Sequence, residues 1–174
     1  MYVPFCDINP ESRVWIYNAD RVITGEEADV IMDILKDYLD NWKSESGISF
    51  PSSAEIFESW FVVIVMDTTE AIDQYRIGPI DNFVYLFKDI GKLTDTDFFA
   101  KPLFNYIDNE EVKAVSLFKV KQSVTDGIIT PDTIIFDHAR VEEKAHLYEF
   151  ERWKVRAADS WISTYFQQQK SPDE

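Results

Sequence analysis

The chain has 174 residues, 45% of them hydrophobic and 15% aromatic, enough for a buried core in one domain or in one domain with an appendage. Its 32 acidic and 17 basic residues give a formal charge of −15, which repels phosphate backbones and anionic bilayers and argues against nucleic-acid binding without a clustered basic face. The single cysteine, Cys6, allows no intramolecular disulfide, and the longest apolar run, Trp60 to Met66, is too short to span a bilayer.

Met1 to Pro10 holds no basic stretch followed by an apolar one, so it does not read as a secretory leader. The expectation is a cytoplasmic protein. Arg13 to Ala19 alternates, with Val14 and Ile16 on one side and Trp15 and Tyr17 on the other. Period two with β-branched and aromatic residues predicts a strand, and two apolar faces predict one that is central or covered twice. Thr24 opens a helix: Glu27 three residues on completes a capping box, and Ala28, Ile31, Leu35, Tyr38 and Trp42 recur at helical spacing.

Ala54 to Ser59 alternates and Trp60 to Met66 is continuously apolar, predicting a half-exposed strand followed by a buried one. No Gly or Asn marks the turn between them. Residues 67–79 are polar and irregular. Ile80, Phe83, Val84, Phe87 and Ile90 then form the stripe of a second helix that ends at Gly91. Leu103 to Ile107 is a short strand, and Asp108 to Glu111 a polar turn leading into Val112 to Leu117.

The order β-α-β-β-α-β matches a ferredoxin-like sandwich, a four-stranded antiparallel sheet with two helices on one face. The expected fold is therefore α+β: a ferredoxin-like core with an N-terminal arm in residues 1–110, centred on 12–108, and a C-terminal α/β extension in 111–166 packed on it. The paired aromatics Trp15 and Tyr17 point to a cover over the second face of the sheet, supplied by the extension. In that extension Leu117, Val120 and Val124 predict a short helix, Thr133 to Phe136 a strand, Val141 to Phe150 a helix, and Trp153 to Val155 a short extended piece. Trp161 and Phe166 would anchor a last turn, and 167–174 would be a flexible tail.

Chemistry-bearing residues are few. Neither GxxxxGK[ST] nor GxGxxG occurs, which argues against the common phosphate loops, and no cofactor is expected. His138, Glu142 and His146 stand at four-residue steps and would share the face of a continuous helix, as metal ligands can. His138 directly follows the Thr133 to Phe136 strand, however, so no metal is expected there. Asp67, Asp73 and Asp81 surround Arg76, a set that could serve acid–base work, although Asp81 in a first helical turn also suits the helix dipole. No nucleophile elbow flanks any serine. Glu149 to Arg156 mixes charges and aromatics, the pattern of a solvated face or of a local binding strip.

Three stretches together carry a resemblance. They are Met1-Tyr-Val-Pro-Phe5 with Ser12-Arg-Val-Trp-Ile-Tyr-Asn-Ala-Asp20; the segment from Ile80-Asp81 onward; and Gly127-Ile-Ile-Thr-Pro-Asp-Thr-Ile-Ile-Phe136 with Trp153 and Asp159-Ser-Trp161. Over most of its length the chain resembles a family of small uncharacterised Bacteroidetes proteins, some labelled ABC-transporter ATPase. The resemblance would imply that label, but the chain has no Walker A loop and no ABC signature stretch. Where the family places a Cys-Ser segment before its second helix, this chain reads Tyr75-Arg-Ile-Gly-Pro79, which removes any thiol chemistry from that place. Gly127 to Phe136 and the later tryptophans also resemble the end of a GYF-like peptide-binding module, without its Gly-Tyr-Phe.

These readings converge on a non-catalytic interaction or regulatory module, a monomer or homodimer, that binds a basic protein or peptide through aromatic surface near the C-terminal extension. Arg76, Asp81, His138 and Trp161 are the candidate binding residues. The alternatives are a small-molecule binder or small enzyme using the 67–81 loop, and an acidic mimic of DNA.

Overall fold

The computed structural model describes residues 1–44, 47–69, 80–99 and 102–168. The chain is α+β, with two antiparallel sheets, and divides into two compact units. The first comprises residues 1–100 together with 142–145, and the second residues 101–141 and 146–174.

The first unit contains β1 (Arg13–Asn18), α1 (Gly25–Asn41), β2 (Ser52–Phe57), β3 (Phe61–Met66) and α2 (Ile80–Thr94). Its sheet runs β1-β3-β2, with β3 antiparallel to both neighbours. β1 and β2 are thus parallel and joined through α1, with β3 inserted between them: a split βαβ of three strands. The capping box forms as the sequence predicts, with Thr24 Oγ1 accepting from the Glu27 amide at 3.3 Å and Glu27 Oε2 accepting from the Thr24 amide at 2.8 Å.

The β2–β3 hairpin exists without Gly or Asn at its tip. Glu58 and Ser59 both adopt left-handed backbone, φ 54° and 55°, which costs a non-glycine residue roughly 1–2 kcal/mol. Two long-range backbone hydrogen bonds hold the tip: Ile23 N–H to Ser59 O at 2.7 Å and Ala19 N–H to Trp60 O at 2.8 Å. Tertiary contacts stand in for the missing turn residue.

Register places Trp15 beside Ile64 and Tyr17 beside Val62. That is the helix face, where Val62, Ile64, Ile31, Leu35, Leu39, Phe83, Phe87 and Ile90 form the core. Tyr17 stacks on Phe87 at 3.9 Å, and its burial, with Tyr38 nearby, pushes its hydroxyl pKa up to about 12. Trp15 and Tyr17 therefore mark the helix side, not a covered second face. The opposite face carries Phe61, Val63 and Val65, all fully buried. The N-terminal arm contributes there: Phe5, in a 3₁₀ turn over Phe5–Asp7, meets Phe57 edge-on at 5.7 Å.

The expected four-stranded ferredoxin-like sheet is not what forms. β4 (Leu103–Asp108) pairs with β5 (Glu111–Ser116) and with β6 (Ile134–Phe136), and β7 (Lys154–Arg156) follows, in the order β5-β4-β6-β7. β1 is thus an edge strand of its own three-stranded sheet rather than a central one. The physical reason is local closure. β4 and β5 pair over six rows across a two-residue turn, with Asn109 and Glu110 at φ 51° and 67°. Both left-handed is the hairpin turn geometry that matches strand twist. β5 takes one edge of β4 across that short turn and β6 takes the other, so no edge is left for β1, about 85 residues earlier, whose closure costs more chain entropy.

The second unit also contains α3 (Val120–Thr125) and α4 (Ser163–Gln168). Its core joins Phe104, Tyr106, Val120, Val124, Ile129, Ile135, Val155 and Ile162. The helix expected over 141–150 does not form. Glu143 instead bridges Arg13, and a 3₁₀ turn spans Lys144–Leu147. Residues 167 and 168, expected in the tail, continue α4.

Candidate functional site

Arg76 lies outside the described residues, as do Asp73 and the side chain of Asp81. At the start of that loop Asp67 folds back locally: its Oδ1 accepts from the Thr69 hydroxyl at 2.6 Å and from the Thr69 amide at 3.1 Å.

His138 opens a 3₁₀ turn directly after β6 and Asp137. The indole N–H of Trp153, a fully buried side chain, donates to His138 Nδ1 at 2.9 Å. Indole nitrogen can only donate, so this bond requires a neutral imidazole with its proton on Nε2. Burial lowers the His138 pKa to about 4, against the opposing pull of Asp137. Phe136 meets Trp153 edge-on at 5.4 Å on the same side.

Arg140 ties this turn to the next. Its Nε pairs with the buried Asp137 carboxylate at 3.0 Å, its Nη2 donates to Asp159 O at 2.6 Å and its Nη1 to Glu151 O at 3.3 Å. Asp159 in turn pairs with Arg156 at 2.7 Å. Two residues beyond Asp159 stands Trp161. The His138 and Trp161 turns, both singled out from sequence, are thereby brought into one cluster by Arg140, which the sequence reading passed over. Its only sequence signal was a basic residue i+3 from Asp137.

The cluster holds a neutral histidine, a compensated Asp–Arg pair and a buried indole. It contains no nucleophile poised against a base, and its polar groups are satisfied within the chain. His138 and His146 occupy separate 3₁₀ turns interrupted by extended backbone, so their spacing does not place them on one face. Among the described residues no three His, Cys, Asp or Glu side chains converge as metal ligands do.

Trp161 is 49% exposed, yet its ring rests edge-on against Phe104 at 5.9 Å and against Tyr165 at 6.1 Å. Phe104 is the second residue of β4, paired with Val115. At that same end of the hairpin the chain leaves β5 through Leu117 and Phe118. The Leu117 amide donates to Pro102 O at 3.0 Å. Phe118 is 85% exposed, the most exposed large apolar side chain among the described residues. The predicted stripe Leu117, Val120, Val124 passes beside Phe118 and leaves it off the buried face, which was the signal for it.

In the first unit an open cavity of about 370 Å³ lies at the C-terminal end of α2. Phe87, Phe98 and Phe99 form apolar walls, and Lys88, Lys92, Asp20, Asp95 and Asp97 add charge. Several of these groups are engaged: Lys92 with Asp89 at 2.7 Å, Asp20 with the Asp97 amide at 2.9 Å, Asp97 with the Phe99 amide at 2.7 Å. The wall turns tightly at Gly91, where a Cβ would stand 2.4 Å from Thr96 O.

No family model matches this chain, no curated protein is detectably similar to it, and no solved structure matches it. No helix among the described residues is long and apolar enough to cross a membrane.

Proposed function

We propose that the protein is a non-catalytic interaction module whose second unit presents aromatic side chains to a protein or peptide partner. One observation carries this reading: Trp161 keeps half its surface in solvent while Phe104 and Tyr165 fix its ring. An aromatic side chain already immobilised loses little entropy on binding, which is the character of an interface anchor. Phe118 and Leu117 supply further apolar area at the same hairpin end. The satisfied His138 cluster supports a scaffolding role for that turn rather than catalysis. A partner of basic character suits the charge of −15, and a cytoplasmic setting suits the lone free thiol of Cys6. Membership of the Bacteroidetes family belongs to the same proposal and adds no activity to it.

The test is quantitative capture from host lysate with wild type and with the double variant Trp161→Ala, Phe118→Ala. The expected result is one stoichiometric protein on wild type, lost from the variant while its melting temperature stays within a few degrees. Retention of that protein by the variant, or no stoichiometric protein at all, overturns the reading.

A small-molecule reading is favoured by the cavity at the end of α2, whose volume suits a small ligand. Native mass spectrometry of protein purified from its host decides it: a retained mass displaced by Phe99→Trp supports this reading.

A further inference from the structure

Three of the four sheet edges are met by another segment of chain. Met1 to Val3 runs beside β2, where the Val3 amide donates to Ser52 O at 2.9 Å and the Ser52 amide to Met1 O at 3.1 Å. Glu143 bridges Arg13 at the start of β1, and the Lys144 amide donates to Ser12 O at 2.9 Å. β7 is short and is met by Phe150, with the Glu151 amide donating to Lys154 O at 3.1 Å. The fourth edge, the outer side of the six-residue β5, has no such cover among the described residues.

The hairpin fixes which groups this edge presents. Asp108 and Glu111 flank the two-residue turn and so form a hydrogen-bonded pair, and bonded pairs then alternate along the ladder. The Leu117 amide, donating to Pro102 O at 3.0 Å, keeps the same phase. Odd-numbered residues of β5 thus bond to β4. Val112 and Ala114 point N–H and C=O outward, and Ser116 its N–H; all three keep part of their surface in solvent. The strand lacks the usual devices that blunt an edge. It has no proline, its register with β4 has no bulge, and its one lysine, Lys113, pairs with Asp108 inside the hairpin.

We propose that the outer edge of β5 is a homodimer interface, taken by β5 of a second copy running antiparallel. Charge selects this occupant. The strand starts from exposed Glu110 and Glu111 and leads into the exposed turn Leu117–Lys119, so it is acidic at one end and basic at the other. Antiparallel pairing sets each acidic end beside the basic end of the other copy, whereas parallel pairing would set like charges together. A two-fold axis beside Ala114 pairs that residue with itself and Val112 with Ser116 of the second copy, so each outward N–H meets a C=O. Lys113 then lies opposite Val115 rather than against its own copy. The second unit, with 11 acidic and 9 basic side chains, presents little net charge against such pairing. A second copy also brings its strand already formed, which costs less order than fixing a loose peptide on the edge.

Sedimentation equilibrium of the full chain tests this. Wild type should pass from monomer to dimer in the micromolar range and stop there, because an isologous pairing uses up the edge. Ala114→Pro removes the central outward N–H from both copies and leaves the ladder to β4 intact, so it should weaken the dimer at least about tenfold. Lys119→Glu, an exposed change outside the strand, brings like charges together and should weaken it severalfold, and adding Glu110→Lys should restore it. The Lys119→Glu pair carries the test if Ala114→Pro does not fold. A monomeric wild type overturns the inference, as does a dimer that Ala114→Pro leaves at wild-type affinity. A second change at Glu110 that weakens the Lys119→Glu dimer further overturns the antiparallel register. The inference rests on backbone groups and not on Trp161, so a monomer that still captures a protein through Trp161 removes this dimer alone.

Discussion

The two units carry charge very differently. Residues 1–100 and 142–145 contain 21 acidic and 8 basic side chains, a net of −13, whereas the remainder holds 11 and 9, a net of −2. In the first unit much of this charge is spent on solvent: Glu26, Asp29, Asp33, Asp37 and Asp40 recur at helical spacing along the exposed side of α1. In the second unit acids are committed to internal pairs, Asp108 with Lys113, Asp137 with Arg140, Asp159 with Arg156. The two features that motivate an interaction function therefore sit apart. Bulk acidity belongs to the first unit, and the anchored, half-exposed Trp161 belongs to the second. A partner chosen by charge and a partner chosen by aromatic contact need not touch the same residues, and variants can separate them.

The largest effects should come from emptying one core at a time. Phe87→Ala removes a buried ring from the first core and Trp153→Ala one from beneath His138 in the second. Each should cost about 3–5 kcal/mol in its own unit. Hydrogen exchange resolves the two: Phe87→Ala should deprotect β3 and leave β4 protected, and Trp153→Ala the reverse. Simultaneous loss in both variants would make the units one cooperative system.

Acidification should strike the second unit. His138 has a folded pKa of about 4 against an ordinary 6.5. A lowered histidine pKa means that the folded state resists the proton, so its contribution is full above pH 6.5 and is lost as pH falls toward 4. The shift corresponds to about 3 kcal/mol. Denaturant melts of wild type at pH 7 and pH 4 should show this loss, and His138→Gln should flatten the slope. NMR titration should place the His138 ring near pH 4, where burial holds it.

Gly91→Ala provides a smaller test with an unambiguous sign. Helix propensity favours alanine by about 1 kcal/mol. The added Cβ would meet the Thr96 carbonyl at 2.4 Å, a backbone atom with little freedom to move. The variant should destabilise the first unit by about 1–3 kcal/mol, and a gain in stability would show that residues 95–99 yield easily.

Salt should produce the smallest difference. Raising ionic strength screens self-repulsion, so the first unit should gain stability and the second, near neutrality and held by internal ion pairs, should gain little or lose slightly. Equal shifts by exchange-detected melting would mean that the acidic face of α1 carries no strain.

Much of the local architecture was legible in the chain itself. Thr24 and Glu27 fix the start of α1, and the Phe83, Phe87, Ile90 stripe identifies the buried face of α2. The unbroken apolar run of β3 foretells a strand covered on both sides. These features depend on neighbours within one turn of helix or a few residues of strand, so periodicity reports them. The sites were legible only as isolated residues. His138 and Trp161 stood out by type, but Arg140, which joins their turns, is an ordinary basic residue until Glu151 and Asp159 reach it.

What the sequence determined by itself was the elements of the first unit, the buried sides of its two helices and the β4–β5 strands, but not the backbone of 141–150. The tertiary structure decided which strands share a sheet, which face of β1 carries Tyr17, and that four residues near position 143 close the first unit. Strand partnership is a competition among distant edges. β5 takes one edge of β4 across a two-residue turn and β6 takes the other, both nearer along the chain than β1, so the shorter closures leave β1 no edge.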